Sequence, residues 1–357
     1  MPTPVEPTQI DRVKLLIGGQ MHDRWQSYEI DSDLLVPADA WQVSLGMALN
    51  QMPPAVAAGA SVEVRVDDDV VMTGRVDEIN HQVSKNDNTF SLSGRDKAAD
   101  LLDCSAPLFG VKQVSLKEIA AKLVTEFGIK PPRIDADATL IREKVNIQPG
   151  DTAWNALVHA AEANGLWPWF EPDGTLVIGG PDYTVPVSAT LIIKRDGKDN
   201  NVLSLKQNIS MHGRYSKVTV LGQAHGTEQE QGKNALRDTV EDKDIKWHRP
   251  KIVTDACDSV AECRNRAQKI IDESHLNGLT LTVQVQGHRI VAPGQPADGL
   301  LWKPGQRIRV DSEPHGIDGI YFLMARKFTR SRTDGTRTML TLKQDGKWIV
   351  NKTSRKS

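Results

Sequence analysis

The chain has 357 residues, 39% hydrophobic and 25% charged, with 44 basic against 46 acidic side chains and a formal charge of −2. That length exceeds what a single core usually organises and points to about two to four domains of ordinary globular composition. The even charge balance excludes a broad electrostatic footprint for nucleic acid or an anionic membrane.

Met1 to Thr8 is Pro-rich with no apolar h-region, and no stretch approaches the roughly 18 apolar residues of a membrane span. Cys104, Cys257 and Cys263 form no CxxC pair. Both features fit folding in a reducing cytoplasm.

In chain order, residues 1–10 read as a flexible start and the next ninety as β-structure. Val62, Val64 and Val66 alternate with Glu63 and Arg65, the period of a half-buried strand, and Asp67-Asp68-Asp69 turns the chain back into Val70-Val71-Met72. A second hairpin is expected from Arg75-Val76-Asp77 through Lys85-Asn86-Asp87-Asn88 into Phe90-Ser91-Leu92. Strands at this spacing predict a small barrel or sandwich over residues 11–103.

Residues 104–188 read as a separate α+β unit. Ser115 and Glu118 form a capping box for a helix burying Leu116, Ile119, Leu123 and Phe127, with Gly128 as its stop. A second helix follows Gly150-Asp151-Thr152, burying Trp154 and Leu157 and ending at Gly165. Trp167 to Phe170, the turn Glu171-Pro172-Asp173-Gly174, and Leu176 to Ile178 then predict a hairpin.

From Ala189 the β-signals return, and residues 189–222 with 276–350 are assigned to a second β-domain. Gly222 to Arg249 is polar and short of large apolar residues, and reads as an exposed arm. With a third helix capped by Ser259 and Glu262 it makes up residues 223–275. Leu279, Leu281, Val283 and Val285 alternate with polar residues, and 351–357 is a basic tail expected to be disordered.

Val62 to Asp67 resembles Arg307 to Asp311, and the closing strands Thr89 to Ser93 and Thr338 to Leu342 also match. A duplicated β-domain is therefore expected. The resulting fold class is α+β, with two related small β-barrels and an inserted α+β domain.

No catalytic constellation accompanies this architecture. The nine histidines are scattered with no HExxH, and neither a P-loop nor a GxSxG elbow is present. Asp67 to Asp69 and the run Glu241, Asp242, Asp244 are the carboxylates that a glycoside hydrolase would have to use, and both read as solvated turn residues. Trp167, Trp169 and Phe170 read as packing rather than as a sugar-stacking platform. Arg95 and Asp96 read as a polar pair fixing the exit from the first β-domain. No enzymatic activity, metal or cofactor is expected.

The run Gly94-Arg95-Asp96-Lys97 with Asp100, Asp103 and Cys104 resembles a signature of the Mu-type tail protein P family, where it closes the first β-domain. Gly150, Asp151, Thr152 and Trp154 resemble the start of that family's second helix. Arg249-Pro250, the helix at 259–274 and Leu300 to Pro304 follow in family order, so the resemblance covers residues 11–345, with a poor match over 223–248. It implies a contractile-tail baseplate hub: a homotrimer whose paired β-barrels form a pseudo-sixfold ring between a sixfold tail tube and a threefold central spike. It further implies assembly in the host cytoplasm, residence in the virion, no membrane insertion and no stable hold on DNA. A cell-wall hydrolase, or the hub of a related injection or bacteriocin particle, is the alternative reading.

Overall fold

The computed structural model describes residues 11–46, 56–85, 88–136, 139–147, 149–222, 236–255, 257 and 259–348. The expected flexible start at 1–10 and tail at 351–357 lie outside these residues.

The first β unit follows the alternation in the sequence. β1 (Val13–Ile17) buries Val13, Leu15 and Ile17 and turns into β2 (Gln20–His22). β3 (Ser27–Asp33), β4 (Ala40–Gly46), β5 (Ser61–Val66), β6 (Asp69–Val83) and β7 (Asn88–Asp96) complete it. The turn from β5 to β6 places Asp67 at φ 53°, a left-handed conformation that Asp tolerates better than most residues. The two expected hairpins share one strand, since β6 runs unbroken for 15 residues.

A short helix that sequence reading did not anticipate, α1 (Ala98–Asp103), leads into the α+β unit. There β8 (Gly110–Ser115) precedes α2 (Leu116–Val124), whose Ser115–Glu118 capping box is present. β9 (Arg133–Asp135), β10 (Ile141–Asn146), α3 (Ala153–Glu162), β11 (Trp167–Phe170) and β12 (Leu176–Gly179) follow. Leu116, Leu123, Trp154, Leu157 and Ile178 form its core, which Phe322, Met324 and Trp348 enter from the far end of the chain.

β13 (Val187–Ile193) and β14 (Ser204–Ile209) return to the large sheet. The next three strands do not. β15 (Lys217–Gly222), β16 (Leu236–Glu241) and β17 (Pro250–Asp255) form their own sheet in the order β16-β15-β17, covered by α4 (Val260–Gly278) through Val218, Val220, Cys263, Ala267 and Ile271. This corrects two expectations. Residues 217–222 lie outside the second β unit, and 236–241, assigned to an exposed arm, form a paired strand; 223–235 fall outside the described residues. A sheet buried on one face needs few large side chains, which is why the segment reads as polar.

β18 (Leu279–Gln286), β19 (Arg307–Ser312), β20 (Ile317–Ser331) and β21 (Gly335–Gln344) close the chain. The duplication is visible in the strand order: β3-β4-β7-β6-β5 in the first unit, β14-β18-β21-β20-β19 in the second. β6 and β20 are each 15 residues long, and each carries a bulge partway along its pairing with the closing strand, at Val76/Glu78 and at Leu323/Ala325. The structural match runs one residue off the sequence match. Phe90, Leu92 and Gly94 on β7 face inward where Thr338, Leu340 and Leu342 do on β21.

The two units join edge to edge into one 13-stranded sheet. β19 pairs with residues 317–322 of β20, and β3 pairs antiparallel with residues 325–330 farther along the same edge. Among the described residues no strand pairing closes either unit into a complete barrel.

Candidate functional site

The two segments singled out in the sequence meet at the joint between the first β unit and the α+β unit. The Ala153 amide donates to the Cys104 carbonyl at 3.0 Å and the Ala106 amide to the Asp151 carbonyl at 2.8 Å, with Ser105 and Thr152 paired between them. Gly150, at φ 98°, makes the turn into this contact. Thr152 caps α3 by accepting from the Asn155 amide, and Trp154 is buried, its ring stacked 6.5 Å from Phe170.

Within the Gly94–Cys104 run each residue has a structural task. Gly94 lies beneath the Trp41 ring, where a Cβ would fall 2.7 Å from that ring and 2.0 Å from the Arg75 carbonyl oxygen. Arg95 donates to Asp77 at 2.6 Å and in a two-point contact to Asp103, and these carboxylates hold its pKa up. Lys97 runs under the turn at Gly174, and Asp100 lies 3.5 Å from the Arg75 guanidinium. The Cys104 side chain is exposed. The turn itself is tied to β6 by the Thr73 hydroxyl donating to the Pro172 carbonyl at 2.9 Å.

Asp96 points inward, toward residues that sequence reading missed. Its amide donates to the Asp39 carbonyl, and its carboxylate accepts from the Ala98 amide at 2.9 Å. Asp39 in turn accepts from the Asp33 amide. Burial pushes Asp39 up to about 7, and burial followed by the charge of Asp39 holds Asp96 well above the ordinary carboxylate range. The buried Arg326, lowered to about 10 by desolvation, supplies the nearby positive charge. All three line a cavity of about 240 Å³ with Phe170, Phe322 and Trp348. That volume is below the roughly 300–1,000 Å³ of most small-molecule sites. Both carboxylates are engaged by backbone amides, so the arrangement fixes a three-way joint.

A second buried polar joint links the two β units. The His288 ring bridges the Tyr28 hydroxyl at 2.8 Å and the Thr338 hydroxyl at 3.0 Å, while its amide donates to Asp11. Burial lowers His288 to about 3. Arg289 reaches Asp11, Asp67 and Asp69, which accounts for two members of the acidic turn. A third joint fastens α4 to the α+β unit. Glu262, 1% exposed, pairs with Arg142 and Arg266, and Arg266 also meets Asp255 at 2.8 Å. Lys269 pairs with Glu162 while lying 4.4 Å above the Trp167 ring.

Folding also gathers Asp242, Asp244 and His275, whose ligand atoms lie within 4.8 Å of one another. Arg214 already donates to Asp242 at 2.7 Å, so the group reads as an ion-pair cluster rather than a cation site.

These joints divide the chain where known families do. Residues 12–96 match the Mu phage baseplate assembly protein GpP-like N-terminal family, and 98–180 match the second domain of the baseplate hub protein gp44-like family. Residues 214–271 match the third domain of NMB1110-like tail proteins, and 273–347 match a tail protein C-terminal domain. The solved tail protein from Neisseria meningitidis MC58 is 39% identical, covering 94% of this chain and 97% of that one, with a TM-score of 0.81.

The chain belongs to the Mu-type baseplate hub family of phage tail proteins.

Two further members share its extent. The baseplate hub protein gp44 of Escherichia phage Mu is 23% identical over 92% of this chain and 87% of its own length. The 43 kDa tail protein of prophage MuSo2 from Shewanella oneidensis, 23% identical, superposes with a TM-score of 0.81 over 95% of this chain and all of that one. The hub is thus a structural component of a phage tail or a related particle. Among the described residues no helix is long and apolar enough to cross a membrane.

Proposed function

We propose that three copies of this hub close into a ring that presents six β units, joining a sixfold tail tube on one side to a threefold central spike on the other, with no catalytic turnover. The duplication carries the reading. One chain supplies two β units of the same strand order, so a threefold assembly offers six near-equivalent positions to a sixfold partner. The near-neutral charge suits a ring through whose bore DNA slides without being held. The buried joints serve to transmit load between the units, and the carboxylates that sequence reading weighed for cell-wall hydrolysis are either ion-paired or solvated.

Light scattering after gel filtration tests the ring. The expected species has three times the 39.4 kDa chain mass, and a monomer at every concentration overturns the proposal. Release of soluble fragments from peptidoglycan above the buffer rate would overturn the absence of turnover.

A further inference from the structure

We propose that Cys257 and Cys263 are the site of an internal disulfide, formed when the particle leaves a reducing cell, that fastens the end of β17 to the first turn of α4.

Both cysteines are fully buried, whereas Cys104 is exposed. They belong to the small core of the third sheet, with Val218, Val220, Ala267 and Ile271. Within that core their side chains lie in hydrogen-bond contact with each other. The glycine that ends β15 makes the room. A Cβ on Gly222 would fall 2.6 Å from the Cys263 Sγ and 2.8 Å from the Cys257 Cβ, so a larger residue there would drive into both.

The backbone on either side is fixed. Gly222 stands opposite Asp255, two residues before Cys257, in the parallel pairing of β15 with β17. On the other side the Cys263 amide donates to the Ser259 carbonyl at 3.2 Å, within the turn of α4 that Ser259 caps. The fold therefore brings the two thiols together before any bond is made, which turns their joining into a step within one molecule.

The position gives the bond a use. It spans the segment that carries Asp255 and Glu262, the two carboxylates that meet Arg266, and Glu262 also reaches Arg142 of the α+β unit. Closing that segment stiffens the joint by which α4 holds the α+β unit. Alanine or valine would serve packing alone; two thiols in contact add a reaction.

A reducing cytoplasm keeps the pair as thiols, and lysis delivers a tail particle to an oxidising medium. The oxidant is a small disulfide such as oxidised glutathione. One cysteine loses its proton to water, and its thiolate attacks a sulfur of the oxidant, whose S–S bond breaks and releases one thiolate. The second cysteine, likewise deprotonated, attacks the first cysteine's sulfur in the mixed disulfide and releases the other half. Two protein thiols have then become one disulfide, and one small disulfide has become two thiols. Burial pushes both cysteine thiols up, so each step waits for a transient opening of the core. The same burial shields the finished bond from reductants.

The test uses the full chain in a Cys104→Ser background, exposed to oxidised glutathione at urea concentrations that leave the fold intact by circular dichroism. The chain is then unfolded, alkylated with N-ethylmaleimide and digested with trypsin, which leaves both cysteines on the peptide 252–264. The expected product is that peptide two hydrogen atoms lighter and free of alkylation, and doubly alkylated when dithiothreitol is added first. Hydrogen exchange of amides 259–267 is expected to slow roughly 50-fold in the oxidised chain, the loop-closure effect of so short a bridge, with no such slowing in Cys257→Ala. Persistent double alkylation, or glutathione carried separately on the two cysteines, overturns the proposal. A bond that appears only where the chain is unfolded, or that leaves exchange unslowed, overturns it equally.

Discussion

Replacing Gly94 with alanine adds one methyl group where β6, β7 and the Trp41 ring converge. The new carbon would lie 2.0 Å from the Arg75 carbonyl oxygen and 2.7 Å from the ring, and Trp41 is only 1% exposed. Neither neighbour yields cheaply, because the oxygen is backbone and the ring is held in the core. Overpacking of this kind costs about 1–3 kcal/mol, and backbone contact puts the expectation near 3. Without the clash the sign reverses, since alanine is favoured over glycine within a strand by about 0.5–1 kcal/mol. A loss of about 3 kcal/mol corresponds to a fall of roughly 6–12 °C in the transition of a 150–250-residue unit. Scanning calorimetry on wild type and Gly94→Ala reads this directly. A variant melting at or above the wild-type temperature would refute the close-approach argument. Gly74→Ala, whose added carbon would sit 1.9 Å from the Arg95 carbonyl oxygen, provides an independent repeat.

Three further outcomes are expected. Glu262→Leu strands buried arginine charge between α4 and the α+β unit and should lower stability by about 3 kcal/mol in urea unfolding, whereas replacing Glu262, Arg142 and Arg266 together with apolar residues should recover most of that loss. Asp39, raised from 3.8 to about 7, keeps a proton in the folded chain that the unfolded chain has released, so its contribution is full near pH 4 and is lost as pH rises through 7. Asp39→Asn should therefore match wild type near pH 4 and exceed it above pH 7 by up to about 4 kcal/mol, read from thermal unfolding across that range. His288 has the opposite slope: lowered from 6.5 to about 3, its contribution is present above pH 6.5 and lost on acidification toward 3. His288→Gln should cost stability at neutral pH yet flatten the urea midpoint against pH below 6.5.

Much of the β architecture was legible because alternation is a local signal. The strands around Val62, Phe90 and Leu281 each bury every second residue as read. The helix caps at Ser115 and Ser259 were equally plain. Glu262 shows where a correct motif conceals the larger role, since its place three residues after Ser259 reads as capping while its carboxylate sits buried between two arginines. The third sheet was missed because β15 was read as part of the second β unit, and because Arg237 and Thr239 on the open face of β16 give that segment the composition of a loop. Asp39 and Arg326 carried no signal. Their significance comes from a convergence of segments nearly 300 residues apart, which no window along the chain contains. The Gly94–Cys104 and Gly150–Trp154 runs were found as separate motifs, and only the fold shows them to be two sides of one joint.

The pairing of β3 with β20 also sets a timetable. Glu29 and Lys327, which form an ion pair across this junction, are 298 positions apart in the chain. At ribosomal rates of about 5–20 residues per second, β3 waits roughly 15–60 s for its partner to be made. During that interval the outer edge of β3, whose inner edge pairs with β4, is offered to whatever lies nearby, including a finished β20 on a sister polypeptide. Exchange at this point would yield interlocked chains that bury the same surfaces as the correct product. Slow translation of the central segment therefore carries a hazard, and a temporary cover over β3 during synthesis would raise the yield of correctly closed hubs.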